Sequence, residues 1–354
     1  MEAFLRQGFL PFEDAIRRVP EELAAAIAGL TVTLEAERAA PRRPAFVAIG
    51  ASLAAMAPAV HWLARHGVAA RRISAAELEH GSPDDLADLV VAVSQSGRSK
   101  ETAAALKGIR VPTVALVNVT ESPIAAGADR VISLGDVPDS LASSIGYCAT
   151  VVAGSMLAET WVLGRPLANW STLGERLATF LESSMPTVLR IAELVEHAAA
   201  IDLVAPFNQL GVAEAGALLL REVPRIPASP FESRQYLHGP MEASAPGGLH
   251  IIVDGADSPH LLPKLQLAGL PVVLFGVPPR LTSFLPGAGV SLVLPAETDA
   301  EVTVFAAVAL QQVVAVVAAV RGIDPDQFLS LGADIKIDGE PPVVQNELAG
   351  REGS

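Results

Sequence analysis

The stretch Asp88-Leu89-Val90-Val91-Ala92-Val93-Ser94-Gln95-Ser96-Gly97-Arg98-Ser99-Lys100-Glu101-Thr102 holds the fold in miniature. A short apolar run bounded by turn residues reads as a buried strand, and the segment from Lys100 onward reads as the start of a helix. A strand that ends in hydroxyls and a glycine makes an anion cradle. Ser94, Ser96 and Ser99 can each donate an O–H, Gly97 admits backbone N–H groups at close range, and the helix directs its positive end at the same point. The turn contains neither G-x-x-x-x-G-K-[ST] nor G-x-G-x-x-G, so it is not a P-loop or a dinucleotide fingerprint. A small phosphorylated metabolite suits it better than a nucleotide. The other reading is an ordinary strand-to-helix turn with a serine N-cap. The turn alone leaves both open, because a parallel α/β sheet has several such turns.

The alternation extends in both directions. Strand patterns at Phe46–Gly50, Val68–Ile73, Leu89–Val93, Val111–Asn118 and Arg130–Leu134 are separated by helical patterns, which predicts a parallel sheet covered on both faces. Leu141–Leu163 reads as a long helix closing this layer. A second unit repeats the scheme: strands at Asp202–Ala205, Leu249–Val253, Pro271–Gly276 and Val290–Leu294, with a closing helix over Asp299–Arg321. The expected architecture is α/β, two units in tandem over residues 1–170 and 171–354, each a parallel sheet covered on both faces. The tail from Gly322 to Ser354 reads as an irregular arm.

Composition narrows the function classes. The chain has 354 residues, is 51% hydrophobic and carries a formal charge of −14, so nucleic acid and anionic membrane surfaces are poor partners. The single cysteine, Cys148, excludes an internal disulfide and a cysteine-based zinc site. The seven histidines show no H-E-x-x-H or comparable spacing, and no metal is expected. Thr303–Val320 is nearly all apolar, but Gln311 and Gln312 interrupt it, which favours a helix buried in an interface over a membrane span. The N-terminus lacks a signal-peptide pattern, and a cytoplasmic location is expected.

Taken with Arg221-Glu222 and His238-Gly239-Pro240 of the second half, the Ser-Gln-Ser-Gly turn resembles the sugar isomerase (SIS) family. The likeness is to the isomerase half of glucosamine-6-phosphate synthase and to free-standing phosphosugar isomerases, deaminases and deglycases. The resemblance implies that the two units are flavodoxin-like, three-layer αβα SIS subdomains in tandem. It also implies a phosphate-binding turn at Ser94, Gln95, Ser96 and Ser99, and sugar contacts from Ser52 in Gly50-Ala51-Ser52 and Ser143 in Ala142-Ser143-Ser144. It implies that Glu222 is the base moving a proton between C1 and C2 of the open-chain sugar. It also implies that His238 opens the sugar ring in the neighbouring subunit's site, hence a homodimer with a phosphosugar substrate and no cofactor.

Four departures are visible. Arg98 stands where the family has an acid. The family helix's lysine is Leu219, the Gly-Arg-Gly turn after the second unit's first strand is Ala205-Pro206-Phe207, and the synthase's Schiff-base lysine falls on Ala333, with Lys336 three residues away. Synthase-type transamination is therefore not expected, and the amidotransferase domain is not found ahead of the first unit. The remaining groups suffice for an isomerase or deaminase acting on an (amino)sugar 6-phosphate. A deglycase and a catalytically silent phosphosugar sensor are the alternatives.

Overall fold

The computed structural model describes residues 9–78, 87–253, 255, 258–277, 289–329 and 336–337. Ala333, the first eight residues and the far tail, all read from the sequence, lie outside these. The elements run α1 (Phe12–Leu34), β1 (Pro44–Ala48), α2 (Ala51–Ala55), α3 (Ala57–Arg65), β2 (Arg71–Ser74), β3 (Leu89–Ser94), α4 (Lys100–Leu106), β4 (Thr113–Val117), α5 (Pro123–Ala126), β5 (Arg130–Ser133) and α6 (Ile145–Leu163). The chain continues with α7 (Leu173–Glu196), β6 (Ala200–Ala205), α8 (Leu210–Glu222), β7 (Ala228–Glu232), α9 (Ser233–Leu237), β8 (Gly248–Val253), α10 (Ser258–Leu267), β9 (Val272–Gly276), β10 (Gly289–Val293) and α11 (Asp299–Val320).

The strands form two five-stranded sheets, β2-β1-β3-β4-β5 and β10-β9-β8-β6-β7, and every pairing is parallel. Numbered within its own half, each sheet has the order 2-1-3-4-5, the flavodoxin-like winding in which the strand order reverses between the first and third strands. β1, β3, β4 and β9 are buried at every position, as strands covered on both faces must be.

The helices between the sheets share one hydrophobic cluster, which runs from Phe12 to Ala318 and takes residues from both halves. Within it α6 packs on α1 and α3, α11 packs on α7 and α8, and α6 touches α11. Both α6 and α11 are long and apolar enough to cross a bilayer. However, 94% and 78% of their most apolar 18-residue windows are buried inside the protein. Apolar residues all round a helix are explained by packing on every side.

Four elements escaped the sequence reading: α1, β7 and the short helices α5 and α9. In α1 the buried residues Phe12, Ile16, Val19, Leu23, Ile27, Leu30 and Leu34 recur every three or four positions, an amphipathic pattern that Pro20 and a polar outer face obscure. β7 contains Pro230 and buries only Ala228, which is tolerated because it is an edge strand. The helix read from Leu141 begins instead at Ile145, for a reason that bears on the site.

Candidate active site

A cavity of about 360 Å³ opens at the switch point of the first sheet, lined by Gly50–Ser52 after β1 and by Ser94–Ser96 and Ser99 after β3. Parallel α/β sheets bind ligands at this point because the connections leave to opposite sides and open a crevice. At the matching point of the second sheet, a Cβ added to Gly255 would lie 2.7 Å from Pro206 Cγ, so the proline ring fills that space. The replacement of a glycine turn by Ala205-Pro206-Phe207 thus has a physical consequence in the second unit.

The hydroxyl turn is tightly built. Ser94 Oγ and Ser99 Oγ are 3.2 Å apart and both residues are buried. The Arg98 N–H donates to Ser96 Oγ at 3.3 Å, and the Asn118 N–H donates to Gln95 O at 3.0 Å. Gly97 has φ +65°, and a Cβ there would fall 2.0 Å from Ser122 Oγ, so only glycine fits the turn. Gly50 (φ 60°, ψ −135°) plays the corresponding role ahead of Ser52. Across the turn, Lys336 makes an antiparallel bridge with Ser99, and its Nζ donates to Ser96 Oγ at 3.4 Å. Burial lowers the Lys336 pKa, with Glu101 opposing that shift. The shift of three residues that separated Lys336 from the family position does not keep it from the cavity.

The second wall is the start of α6. Asp139 is 4% exposed and lines the cavity. Its carboxylate accepts from Ser143 Oγ at 2.7 Å and from the Ser144 N–H at 2.9 Å. Burial raises its pKa, and these hydrogen bonds oppose the rise. By holding both serines in a turn, Asp139 delays the first helical residue to Ile145. Gly146 allows this approach, since a Cβ on it would be 2.3 Å from Asp139 Oδ2. Asp139 was not singled out from sequence; an aspartate four residues before a serine at the head of an apolar helix is the local signal.

The third wall is α8, whose Val212, Ala215, Gly216, Leu219 and Glu222 all line the cavity. Their spacing of three and four places them on one helix face. Glu222 therefore ends an apolar stripe, and burial pushes its carboxyl up to about 7. Leu219, 9% exposed, contributes hydrocarbon where the family helix has a lysine.

The structure therefore gathers Ser52, Ser94, Gln95, Ser96, Ser99, Ser143 and Glu222 around one cavity, and adds Asp139, Gln311 and Lys336. It does not bring in His238, which is exposed at the end of α9 and does not line the cavity of its own chain. Among the described residues no group of three or more His, Cys, Asp or Glu side chains is arranged to hold a metal.

Residues 39–160 match the SIS domain family. This chain carries a SIS domain. The match spans β1 to β5 and most of α6, and so covers the switch-point cavity's Ser52, Ser94–Ser99 and Ser143. The chain is 24% identical over 274 residues to a glutamine–fructose-6-phosphate aminotransferase (isomerizing) of Pyrobaculum aerophilum, covering 72% of this chain and 44% of that protein. It thus spans less than half the length of the curated relatives it matches. Among solved structures, the C-terminal domain of glucosamine-fructose-6-phosphate aminotransferase from Francisella tularensis superposes with a TM-score of 0.77 at 20% identity. That match covers 89% of this chain and 97% of the other. Glucosamine-6-phosphate deaminase from Thermotoga maritima superposes with a TM-score of 0.74 at 19% identity, covering 90% and 98%. The second sheet, outside the matched residues, belongs to the same two-unit fold as these structures.

Proposed function

We propose that this SIS protein is a cofactor-independent phosphosugar isomerase or deaminase, acting on a sugar or aminosugar 6-phosphate. The observation that carries the reading is one cavity with hydroxyl donors and a lysine at one end and a carboxyl held near neutrality on another wall. A carboxylate with a pKa of about 7 takes a proton from carbon better than an ordinary one and remains able to return it. In the proposed step Glu222 removes the proton from the carbon next to the carbonyl. The electron pair forms an enediol or enolamine as the carbonyl oxygen gains a proton. Glu222, whose proton exchanges with solvent, then returns one to the neighbouring carbon while the hydroxyl or amine on the first carbon gives one up; for an aminosugar, water then displaces ammonia from the resulting imine. With the phosphate anchored at Ser94–Ser99, the reacting carbons are held against the base rather than met by collision.

His238 is proposed to act in a second copy's cavity, opening the sugar ring, so the working form is a homodimer. Its exposure and its absence from the lining of its own chain's cavity support this reading. Imidazole suits ring opening because it both gives and takes a proton near neutral pH.

A second reading, a phosphosugar sensor without turnover, is favoured by the hydrocarbon of Leu219 in the cavity wall. Incubation of glucosamine 6-phosphate, fructose 6-phosphate and tagatose 6-phosphate in heavy water separates the two. Deuterium entering C1 or C2 of any of them supports the enzyme; tight binding with no exchange supports the sensor and rejects the proton-transfer mechanism.

A further inference from the structure

Gln311 lies in the middle of α11, on the half of the chain that carries Glu222, yet its side chain reaches the wall formed by the start of α6. Its Nε2 donates to Ser144 O at 3.3 Å and lies 3.9 Å from Cys148 Sγ. Facing a carbonyl, only the NH₂ end of the amide is attractive, so the assignment of nitrogen and oxygen is fixed by chemistry. The oxygen is then the free end. Gln311 is 1% exposed and lines the cavity, and its Oε1 is buried with no hydrogen-bond partner. Buried acceptors are rarely left in this condition, because desolvation without a replacement bond is costly.

Ser143, on the same wall, is committed in the opposite sense. Its hydroxyl hydrogen goes to Asp139 Oδ2 at 2.7 Å, so its oxygen offers only lone pairs to the cavity. Two side chains of the cavity lining thus present acceptors, while the Ser94–Ser99 turn and Lys336 present donors. The final torsion of a glutamine is soft, so a small swing brings Oε1 to a group in the cavity.

We infer that Gln311 Oε1, with Ser143 Oγ as a second acceptor in the cavity lining, reads a hydrogen-bond donor on the ligand, a hydroxyl or an ammonium remote from the phosphate, and so sets specificity. Gln311 acts on binding and orientation and takes no part in proton transfer. The inference rests on the phosphosugar reading of the cavity.

The test is calorimetric titration of the wild-type protein and Gln311→Met, which keeps length and volume but removes the acceptor. The ligands are inorganic phosphate, glucosamine 6-phosphate, fructose 6-phosphate and their monodeoxy analogues. Gln311→Met is expected to weaken at least one sugar phosphate about tenfold and to leave inorganic phosphate unchanged. The wild-type protein should discriminate against one monodeoxy analogue by a similar factor, and the variant should bind that analogue and its parent alike. Equal binding of every analogue by the wild-type protein overturns the inference without any variant, and leaves an ordered water as the partner of Oε1. Loss of phosphate and sugar phosphates together in Gln311→Met overturns it as a collapse of the wall. Wild-type protein that binds no sugar phosphate overturns the phosphosugar reading itself, a result distinct from normal binding that Gln311→Met leaves untouched.

Discussion

Arg72 on β2 grips Glu214 on α8 with both guanidinium nitrogens, Nη2 donating to Oε1 at 2.9 Å and Nη1 donating to Oε2. The pair joins the two halves of the chain beside the cavity, and its side chains are 16% and 32% exposed. Below it, α8 meets α2 so closely that a Cβ on Gly211 would lie 2.3 Å from Ala54 O. The clamp and the glycine together hold α8, which ends at Glu222, against α2, which carries Ser52, and both residues line the cavity. Arg72→Met should lower stability by about 1–3 kcal/mol, the range for removing one partner of a partly buried, hydrogen-bonded charge pair. In urea denaturation the double variant Arg72→Met/Glu214→Leu should lose less than the two single variants added together, because each single change strands the other group. Strict additivity would mean that the pair is ornamental.

Glu222 supplies a pH dependence with a definite sign. Its carboxyl titrates near 7 in the folded chain against an ordinary value of 4.5, so the base form fills, and turnover rises, as pH increases through about 7. Stability moves the other way. Between pH 4.5 and 7 the native state holds a proton that the unfolded state has lost, so stability falls as pH rises through that window. The size is about 1–3 kcal/mol, solvent screening of a half-buried group lowering the full linkage value. Glu222→Gln should lower turnover by a factor of about 10² or more while flattening the stability profile between pH 4.5 and 7. A variant that keeps normal activity would remove Glu222 from the mechanism.

Gly146 tests the wall of α6. Gly146→Ala directs a methyl group at Asp139 Oδ2 and at Gln95 Cγ, which would lie 2.3 and 2.8 Å away. The carboxylate must move, and Ser143 and Ser144 lose the acceptor that fixes their turn. A destabilisation of about 1–3 kcal/mol is expected from the overpacking. Phosphosugar affinity should fall as well, and titration checks it. Full affinity in a destabilised variant would mean that the turn does not touch the ligand.

Most of this architecture was legible in the chain because parallel strands buried on both faces are continuous apolar runs, and each is followed by its own turn and helix. The switch-point turn was legible for the same reason. Harder to read were features that depend on the other half of the molecule. Nothing local marks Gln311 as a cavity residue, since its partner Ser144 is 167 positions away. Asp139 looks like an ordinary loop acid until Ser143 and Ser144 are seen folded onto it. In β7, Pro230 argues against a strand unless the edge position is known. Counting along the arm put weight on Ala333. The pairing of Lys336 with Ser99 is set by backbone hydrogen bonding between distant parts of the chain, such as the Ile337 N–H to Arg98 O at 2.9 Å, and a count cannot supply that.

The exposed His238 gives a test of subunit sharing. If each site draws Glu222 from one chain and His238 from another, Glu222→Gln and His238→Ala are each inactive alone but complement when mixed. Random pairing of subunits makes half the dimers hybrid, each with one intact site, so about a quarter of wild-type activity should return after co-refolding. Activity that stays absent in a verified hybrid would confine both groups to one chain's site, and a His238→Ala protein active on its own would remove His238 from the mechanism.

Lys336 lines the end of the cavity proposed to hold the phosphate, and its contribution can be isolated by the charge of the ligand. Its Nζ lies 3.4 Å from Ser96 Oγ, which also accepts from the Arg98 N–H at 3.3 Å. In a chain of net charge −14, a phosphorylated ligand approaches against the overall field, so a local positive charge matters more than it would in a basic protein. A charge-assisted hydrogen bond to phosphate is about twice as strong as a neutral one. Lys336→Met should therefore weaken a sugar phosphate about tenfold, and weaken the same sugar without its phosphate hardly at all. Lys336→Arg should recover most of the loss, since it keeps the charge and the donors. Raising ionic strength should narrow the gap between wild-type protein and Lys336→Met, as screening weakens a charge that remains open to solvent. Equal losses for the phosphorylated and dephosphorylated sugar would place Lys336 against the sugar ring instead of the phosphate.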